Sequence, residues 1–312
     1  MKTISVVLTS YNYAHYLPTA LSAILKQTLS PLEIIVIDDA STDHSVEIIQ
    51  QFQKNSPLIQ LYQNKKNLGL FPNVNRGIDL ARGDYIALCA ADDEMLPNFF
   101  EESMALLNQY PQAGICSSIF TIFFDREPHK LHSFSSLLSK ERAFFTPSQF
   151  LRKIKRSDAR LGGQNTIYKT SALREAGNLL PELGHMCDWF VISVLALRYG
   201  VCFVPETLTK MRIHQKAFSQ EKSRDKIYCQ NLFKNVLAVL NKKEFSDVKE
   251  PFINSGILYH LGLPIVRELF RKENRKYIRI PLIYHLLNLA CKTLKGKIQG
   301  MISRIKINNS AA

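Results

Sequence analysis

Two pairs of adjacent carboxylates mark this sequence, Asp38-Asp39 and Asp92-Asp93. Each closes an apolar run, Glu33–Asp38 in the first case and Tyr85–Ala91 in the second. Neighbouring carboxylates repel each other, so keeping both ionised costs stability unless a cation or a set of donors stands nearby. A divalent ion would supply that charge. Hard oxygen ligands suit magnesium or manganese, which also bind substrate phosphates. A plainer role is open to both pairs: Asp93 can cap the helix that follows, and Asp38-Asp39 can close a turn with Ser41 and Asp43. A third polar cluster, Thr9-Ser10-Tyr11-Asn12, ends the run that begins at Ile4. Its hydroxyls and amide can meet a base, a ribose or a phosphate, or simply each other in a turn. There is no GxGxxG and no GxxxxGK[ST], so neither a Rossmann dinucleotide site nor a P-loop is indicated.

The elements that must hold these residues alternate. Strand patterns at Ile4–Thr9, Glu33–Asp38, Leu58–Tyr62, Tyr85–Cys89 and Gly114–Phe124 are separated by helical periods at Tyr16–Gln27, Ser41–Phe52, Asn73–Ala81 and from Pro97 to Asn108. Such alternation predicts an α/β fold with a mainly parallel sheet flanked by helices. Ligands of these sheets bind beyond the carboxyl ends of the strands. That rule brings Thr9–Asn12, Asp38-Asp39 and Asp92-Asp93 to one edge. Residues 125–160 read as an irregular linker with short helices. A strand at Thr166–Lys169, a helix near Asp188–Tyr199 and a strand at Val201–Val204 follow, and the chain beyond Ala217 reads as helical and basic.

At 312 residues the chain can build a large core without disulfides, and its six scattered cysteines read as packed thiols. The formal charge of +13 is concentrated near the end, where residues 221–312 hold 18 Lys/Arg against 7 Asp/Glu. No run is long and apolar enough for a membrane span or a secretory signal, and the expectation is a cytoplasmic protein. Residues Ile278–Ile307 mix an apolar stripe with lysines and arginines. This pattern suits an anionic membrane surface, which implies a peripheral place on the inner face of the cytoplasmic membrane, or else a helix packed on the domain. No nucleic-acid motif accompanies the basic residues, and nucleic acid is not expected as a partner.

The segments VVLTSYNYAHYL, EIIVIDDASTD, NLGLFPNVNRGIDLARGDYIALCAADDEMLP, CDW and RIH, in this order, resemble the family 2 glycosyltransferases of the GT-A fold. The resemblance runs from Ile4 to about Ser219. It implies an inverting transfer of a sugar from a nucleotide-diphosphate donor, a UDP-sugar by expectation, to a hydroxyl of a glycan or glycolipid, in polysaccharide biosynthesis. It divides the chain into a catalytic domain over 1–217, with a nucleotide-sugar half at 1–98 and an acceptor half at 99–217, and an extension over 218–312. Thr9, Tyr11 and Asp39 are then expected on the nucleoside, with Asn12 and Asp38 beside them. Asn67, Gly69, Asn75 and Arg76 are expected to line the donor site. Asp92 is the expected ligand of Mn2+ or Mg2+, with Asp93 next to the donor. The family usually shows Asp-x-Asp-Asp at this point, and here Ala90 replaces the first Asp.

By the same resemblance Asp188 is the general base that takes the proton of the attacking alcohol. On the residues alone a helix cap, a very ordinary role for Asp, is the preferred reading. His214 is expected on the metal or diphosphate and Arg212 on the leaving phosphate, both on one face if the segment is extended. Two other readings remain. A nucleotidyltransferase would need a glycine-rich basic loop after the first strand, and Thr9–His15 has neither glycine nor Lys/Arg. A degenerate protein that binds a nucleotide sugar without catalysis is consistent with Ala90.

Overall fold

The computed structural model describes residues 2–133, 138–155, 161–214, 226–261, 268–283 and 286. Its first hundred residues wind as the alternation predicts. Strands β1 (Ile4–Ser10), β2 (Glu33–Asp38), β3 (Ile59–Gln63) and β4 (Tyr85–Ala90) lie in the order β3-β2-β1-β4, all parallel, with α1 (Leu17–Leu25), α2 (Ser45–Asn55) and α3 (Leu70–Leu80) as crossovers. Their β-branched residues suit a sheet covered on both faces. Alternate residues feed two cores. Ile4, Val6, Leu8, Ile34 and Val36 pack with Phe99, Phe100, Met104 and Leu107, four residues of α4 (Phe99–Gln109). Val7, Ile35, Ile37 and Ile86 face the opposite core.

The second half is not parallel throughout. Strand β9 (Thr166–Lys169) runs antiparallel between β4 and β6 (Ile115–Phe124). Strand β10 (Val201–Ile213) then pairs parallel with β6 along its length. The sheet is therefore mainly parallel, as expected: two parallel blocks are joined through the reversed β9, and short antiparallel strands are added to the second block. The strand read as Val201–Val204 continues to Ile213 because register shifts after Val204 absorb Pro205 and Glu206. The expected linker also holds structure: β7 (Glu127–Ser133) folds back on β6, β8 (Ala143–Phe145) lies on β10, and α5 (Pro147–Ile154) starts with a Thr146–Gln149 capping box. The short β5 (Glu94–Met95) pairs with β10, and α6 (Thr170–Glu175) follows β9.

Helix α7 (Cys187–Tyr199) is apolar nearly all round, as a helix buried on several sides must be. The sheet covers one side. The other carries α8 (Lys226–Leu240) and α9 (Ser246–Ser255), which begin beyond the expected boundary at 217. Phe245 and Phe252 meet Phe190 with ring centroids 5.3 and 5.5 Å apart, Trp189 meets Phe252 at 5.5 Å, and Arg198 is paired with Asp247 at 2.9 Å. Fully burying a ring of this size contributes roughly 1.5–3 kcal/mol. The described part of the extension is thus the outer wall of the core that carries Asp188. Leu282 is buried against it, whereas Ile280 and Ile283 are 83% and 61% exposed. Most of the basic stripe, residues 284–285 and 287–307, lies outside the described residues. Among the described residues no helix is long and apolar enough to cross a membrane.

Candidate active site

Strands β1, β2 and β4 deliver their polar ends to one edge, as expected. The Asp39 N–H donates to the Ser10 carbonyl at 2.9 Å, which ties the end of β2 to the end of β1. Asn12, at φ 56°, accepts from Thr42 N–H at 2.8 Å and Asp43 N–H at 3.3 Å through Oδ1, and its own N–H reaches Ser41 Oγ at 2.9 Å. Thr9 is half-buried opposite Ala90, and Tyr11 is 44% exposed.

The carboxylates of the first pair are consumed by the chain itself. Asp38 accepts from Ser41 N–H at 2.9 Å and Ser41 Oγ at 2.5 Å. Asp39 accepts from Asn64 Nδ2 at 2.9 Å, Leu68 N–H at 2.8 Å and Gly69 N–H at 2.9 Å. Burial works to raise the Asp39 pKa, but the donors of Leu68, Asn73, Asn64 and Gly69 outweigh it and hold the carboxyl below its usual range. Gly69 can present its N–H because it sits at φ 85°, a conformation that favours glycine. Asn67 accepts from the same N–H at 3.1 Å, and Arg76 donates to Asn64 Oδ1 at 2.9 Å. These residues form one network around Asp39. Asn75, expected beside them, is instead turned to Leu179, with its amide donating to the carbonyl and accepting from the N–H at 2.9 and 3.0 Å. It clamps α3 to the segment after α6.

The second pair is held from across the sheet. Asp92 stands in the tight turn that leaves β4, and its Oδ2 lies 2.8 Å from His214 Nε2. Asp93 accepts the Arg212 N–H at 2.9 Å. Burial, then the charge of Asp92, push the Asp93 carboxyl well above its usual range. The alternation of β10 thus brings Arg212 and His214 to the same turn. Arg212, expected on the leaving phosphate, is already engaged: it binds the Asp92 carbonyl at 2.9 Å, Asp125 Oδ1 at 2.9 Å and Glu94 Oε1 at 3.2 Å. Its guanidinium also lies 4.7 Å from the Tyr16 ring centre and 4.4 Å from that of Phe123. In this structure it is a brace between strand ends. Ala90, in place of a carboxylate, is exposed at the sheet edge.

Asp125, Tyr16 and Glu94 were missed from sequence. The Tyr16 hydroxyl donates to Asp125 Oδ2 at 2.6 Å and its ring lies 5.6 Å from that of His214. Burial and then the Asp125 hydrogen bond push the Tyr16 hydroxyl up to about 12. The signal was present for Asp125, which directly follows β6 as the other acids follow their strands.

Asp188 stands in the first turn of α7, apart from both pairs in sequence. Its Oδ1 accepts from Trp189 N–H at 2.7 Å and its Oδ2 from Gly163 N–H at 3.1 Å. Burial raises its pKa above the usual 3.8. A carboxylate poised in this way is a stronger base than an exposed one. No group of three or more His, Cys, Asp or Glu that could hold a metal occurs among the described residues. Asp92 and His214 still make a coherent pair for a hard divalent ion that takes its other ligands from a diphosphate and water.

Comparison with known proteins gives this geometry its context. The sequence model described as glycosyl transferase family 2 matches residues 5–177. The chain belongs to this family. Escherichia coli YibD, described as an uncharacterized glycosyltransferase, is 39% identical over 103 residues, which are 33% of this chain and 30% of that one. Glycosyltransferase GlyG of Streptococcus pneumoniae is 38% identical over 98 residues, 31% and 33% of the two chains. The matched stretch thus spans about a third of each relative. Among solved structures, Staphylococcus aureus TarS 1-349 in complex with UDP-GlcNAc superposes with a TM-score of 0.65 over 88% of this chain and 78% of that one, at 14% identity. Mannosyltransferase PcManGT from Pyrobaculum calidifontis, in complex with GDP-Man and Mn2+, gives 0.58 over 94% and 87%, at 16% identity. These likenesses establish a shared fold, the GT-A α/β architecture of family 2 glycosyltransferases.

Proposed function

We propose that this protein is an inverting glycosyltransferase that moves a sugar from a nucleotide diphosphate, a UDP-sugar, to a hydroxyl of a glycan or glycolipid. The observation that carries this reading is the 2.8 Å approach of His214 to Asp92 at the carboxyl end of β4, in a chain of this family. The donor nucleoside lies against Thr9, Tyr11 and the Asp39 network. Asp92 and His214 are the residues that would hold Mn2+ or Mg2+. When bound, the ion supplies positive charge against the leaving diphosphate. Asp93, which accepts the Arg212 N–H, fixes the turn that presents Asp92.

Asp188 accepts the proton of the acceptor hydroxyl while the new oxygen–carbon bond forms on the face opposite the departing diphosphate. The old carbon–oxygen bond breaks with its electron pair going to the phosphate. Asp188→Asn keeps the shape and one acceptor oxygen but removes the base. It should retain nucleotide binding and lose about 10²–10⁴ in turnover. Near-normal turnover would reduce Asp188 to a helix cap.

Ala90 favours a second reading, a protein that binds the nucleotide sugar without transfer. A thermal-shift screen of nucleotide sugars with and without manganese, followed by release of nucleotide, separates the two. For location, the exposed Ile280 and Ile283 beside the basic segment from Arg271 to Arg279 support peripheral attachment to an anionic membrane. Flotation of the full chain with liposomes rich in phosphatidylserine tests it. Failure to bind at low salt would end that part of the proposal.

A further inference from the structure

The segment before β9 reaches across to the first turn of α7. Gly163 donates its N–H to Asp188 Oδ2, a contact between residues 25 apart in the chain. A side chain at 163 has nowhere to go: a Cβ there would stand 2.7 Å from Asp188 Oδ2, 3.1 Å from its Cβ and 3.3 Å from its Cγ. Gly163 is not among the glycines at positive φ, so its backbone conformation does not call for glycine. The close approach to Asp188 does.

The segment cannot easily draw back. Asn165 is fully buried; its Nδ2 donates to Ser117 Oγ at 3.2 Å and to the Ser118 carbonyl, and its Oδ1 accepts the Gly162 N–H at 3.1 Å. Thr166 Oγ1 donates to the Gly162 carbonyl at 2.7 Å, and the Ser118 N–H donates to the Asn165 carbonyl at 3.0 Å. Strand β6 therefore holds the segment in place from beneath. With Oδ1 fixed by its own helix through Trp189, the Gly163 contact decides how the carboxylate is turned.

We infer that Gly163 is a positioning residue for Asp188, its N–H aiming one oxygen of the carboxylate and its missing side chain leaving room for that carboxylate at the site. The inference rests on the proposed role of Asp188 as the base. Replacement by alanine would push Oδ2 off the N–H. That removes an interaction favouring the ionised form, so the carboxyl pKa rises further. Of the titratable groups around Asp188, Tyr168 on β9 and Cys187 on α7 are both pushed far up by burial. They stay protonated in acid, so Asp188 titrates without them.

The test uses the full chain as Gly163→Ala, with UDP-GlcNAc and GDP-mannose in manganese as donors and 13C-labelled aspartate for NMR titration. Asp188→Asn assigns the resonance. The expected results are a tenfold or greater fall in kcat with KM for the donor within twofold, an acid limb of kcat moved to higher pH, and an upward move of the Asp188 titration. A loss of kcat with the acid limb and the titration unmoved would make Gly163 a packing residue only and overturn the inference. If Gly163→Ala is too unstable to assay, the double-mutant cycle with Asp188→Ala decides. Gly163→Ala should lower the Tm less in the Asp188→Ala background, which lacks the 2.7 Å contact, than in the native one. Equal losses would overturn the inference. Should Asp188→Asn retain full turnover, the base reading fails, while the titration still reports whether Gly163 orients that carboxylate.

Discussion

Asp38-Asp39 and Asp92-Asp93 are the same dipeptide at the same kind of place, yet the fold treats them in opposite ways. The first pair is met by local donors, and the Asp39 carboxyl is held below its usual range. The second pair receives a histidine and a main-chain N–H from β10, and Asp93 is pushed above its range by burial and by Asp92. The difference shows how repulsion between neighbouring carboxylates is resolved. Where backbone amides are plentiful the pair becomes architecture. Where they are scarce, the pair is met instead from across the sheet, by His214 and the Arg212 N–H.

The largest expected break in this comparison is Asp92→Ala. Turnover supported by manganese should fall by at least about 10²–10³, the scale for removing one group aimed at developing charge. Thermal unfolding should stay near that of the native chain, because among the described residues the Asp92 side chain bonds only to His214. Manganese-dependent turnover that survives would place the metal elsewhere.

Asp39→Ala should do the reverse and strike stability first. It removes the acceptor of the Leu68 N–H and of one Asn64 donor bond and leaves the Gly69 N–H with Asn67 alone, at about 1.5–3 kcal/mol for each lost bond to a charged group. Urea unfolding at pH 7 measures the loss. The sign of its pH dependence follows from the lowered pKa. The stabilisation by the ionised Asp39 is complete above the unfolded value of about 3.9 and disappears as pH falls through the folded value, so the gap to Asp39→Asn should close in acid. A gap that is constant down to pH 3 would mean the carboxylate is not the anchor.

Tyr16→Phe sharpens the contrast with the smallest change. It deletes the hydroxyl bond to Asp125 and keeps the ring beside His214 and Arg212. Manganese affinity in the presence of nucleotide should weaken by about tenfold, the low end for a group that only orients a ligand. Calorimetric titration would show it. An unchanged affinity would detach the Tyr16–Asp125 pair from the site.

The strands that carry the two pairs were legible because their β-branched runs are buried on both faces and stop at polar residues. The reversal of β9 was not, since its direction depends on which strands it joins. Strand β7, Glu-Pro-His-Lys-Leu-His-Ser, has almost no apolar signal because it forms only an outer rung on β6. The length of β10 was hidden by Pro205 and Glu206, which break the pattern at the point where the ladder shifts register. Within the site, the convergence of residues 9–12, 38–39 and 92–93 follows from topology and could be read directly. The commitment of Asn75 to Leu179, and of Arg212 to Asp125 and Glu94, involves partners 87–118 residues away, and no local pattern reports them.

The spacing of these partners also sets an order of assembly. Asp39 finds Asn64, Leu68 and Gly69 within 25–30 residues, so its network can close while later parts of the chain are still being made. Asp92 waits 122 residues for His214, and Asp93 waits 119 for the Arg212 N–H. Closing a loop of that length is entropically costly until β10 docks and repays it. A ribosome-bound chain that ends before β10 already owns its Asp39 network but has no Asp92–His214 pair. The pair proposed to hold a metal therefore forms late in synthesis, as a mark that the sheet has been completed.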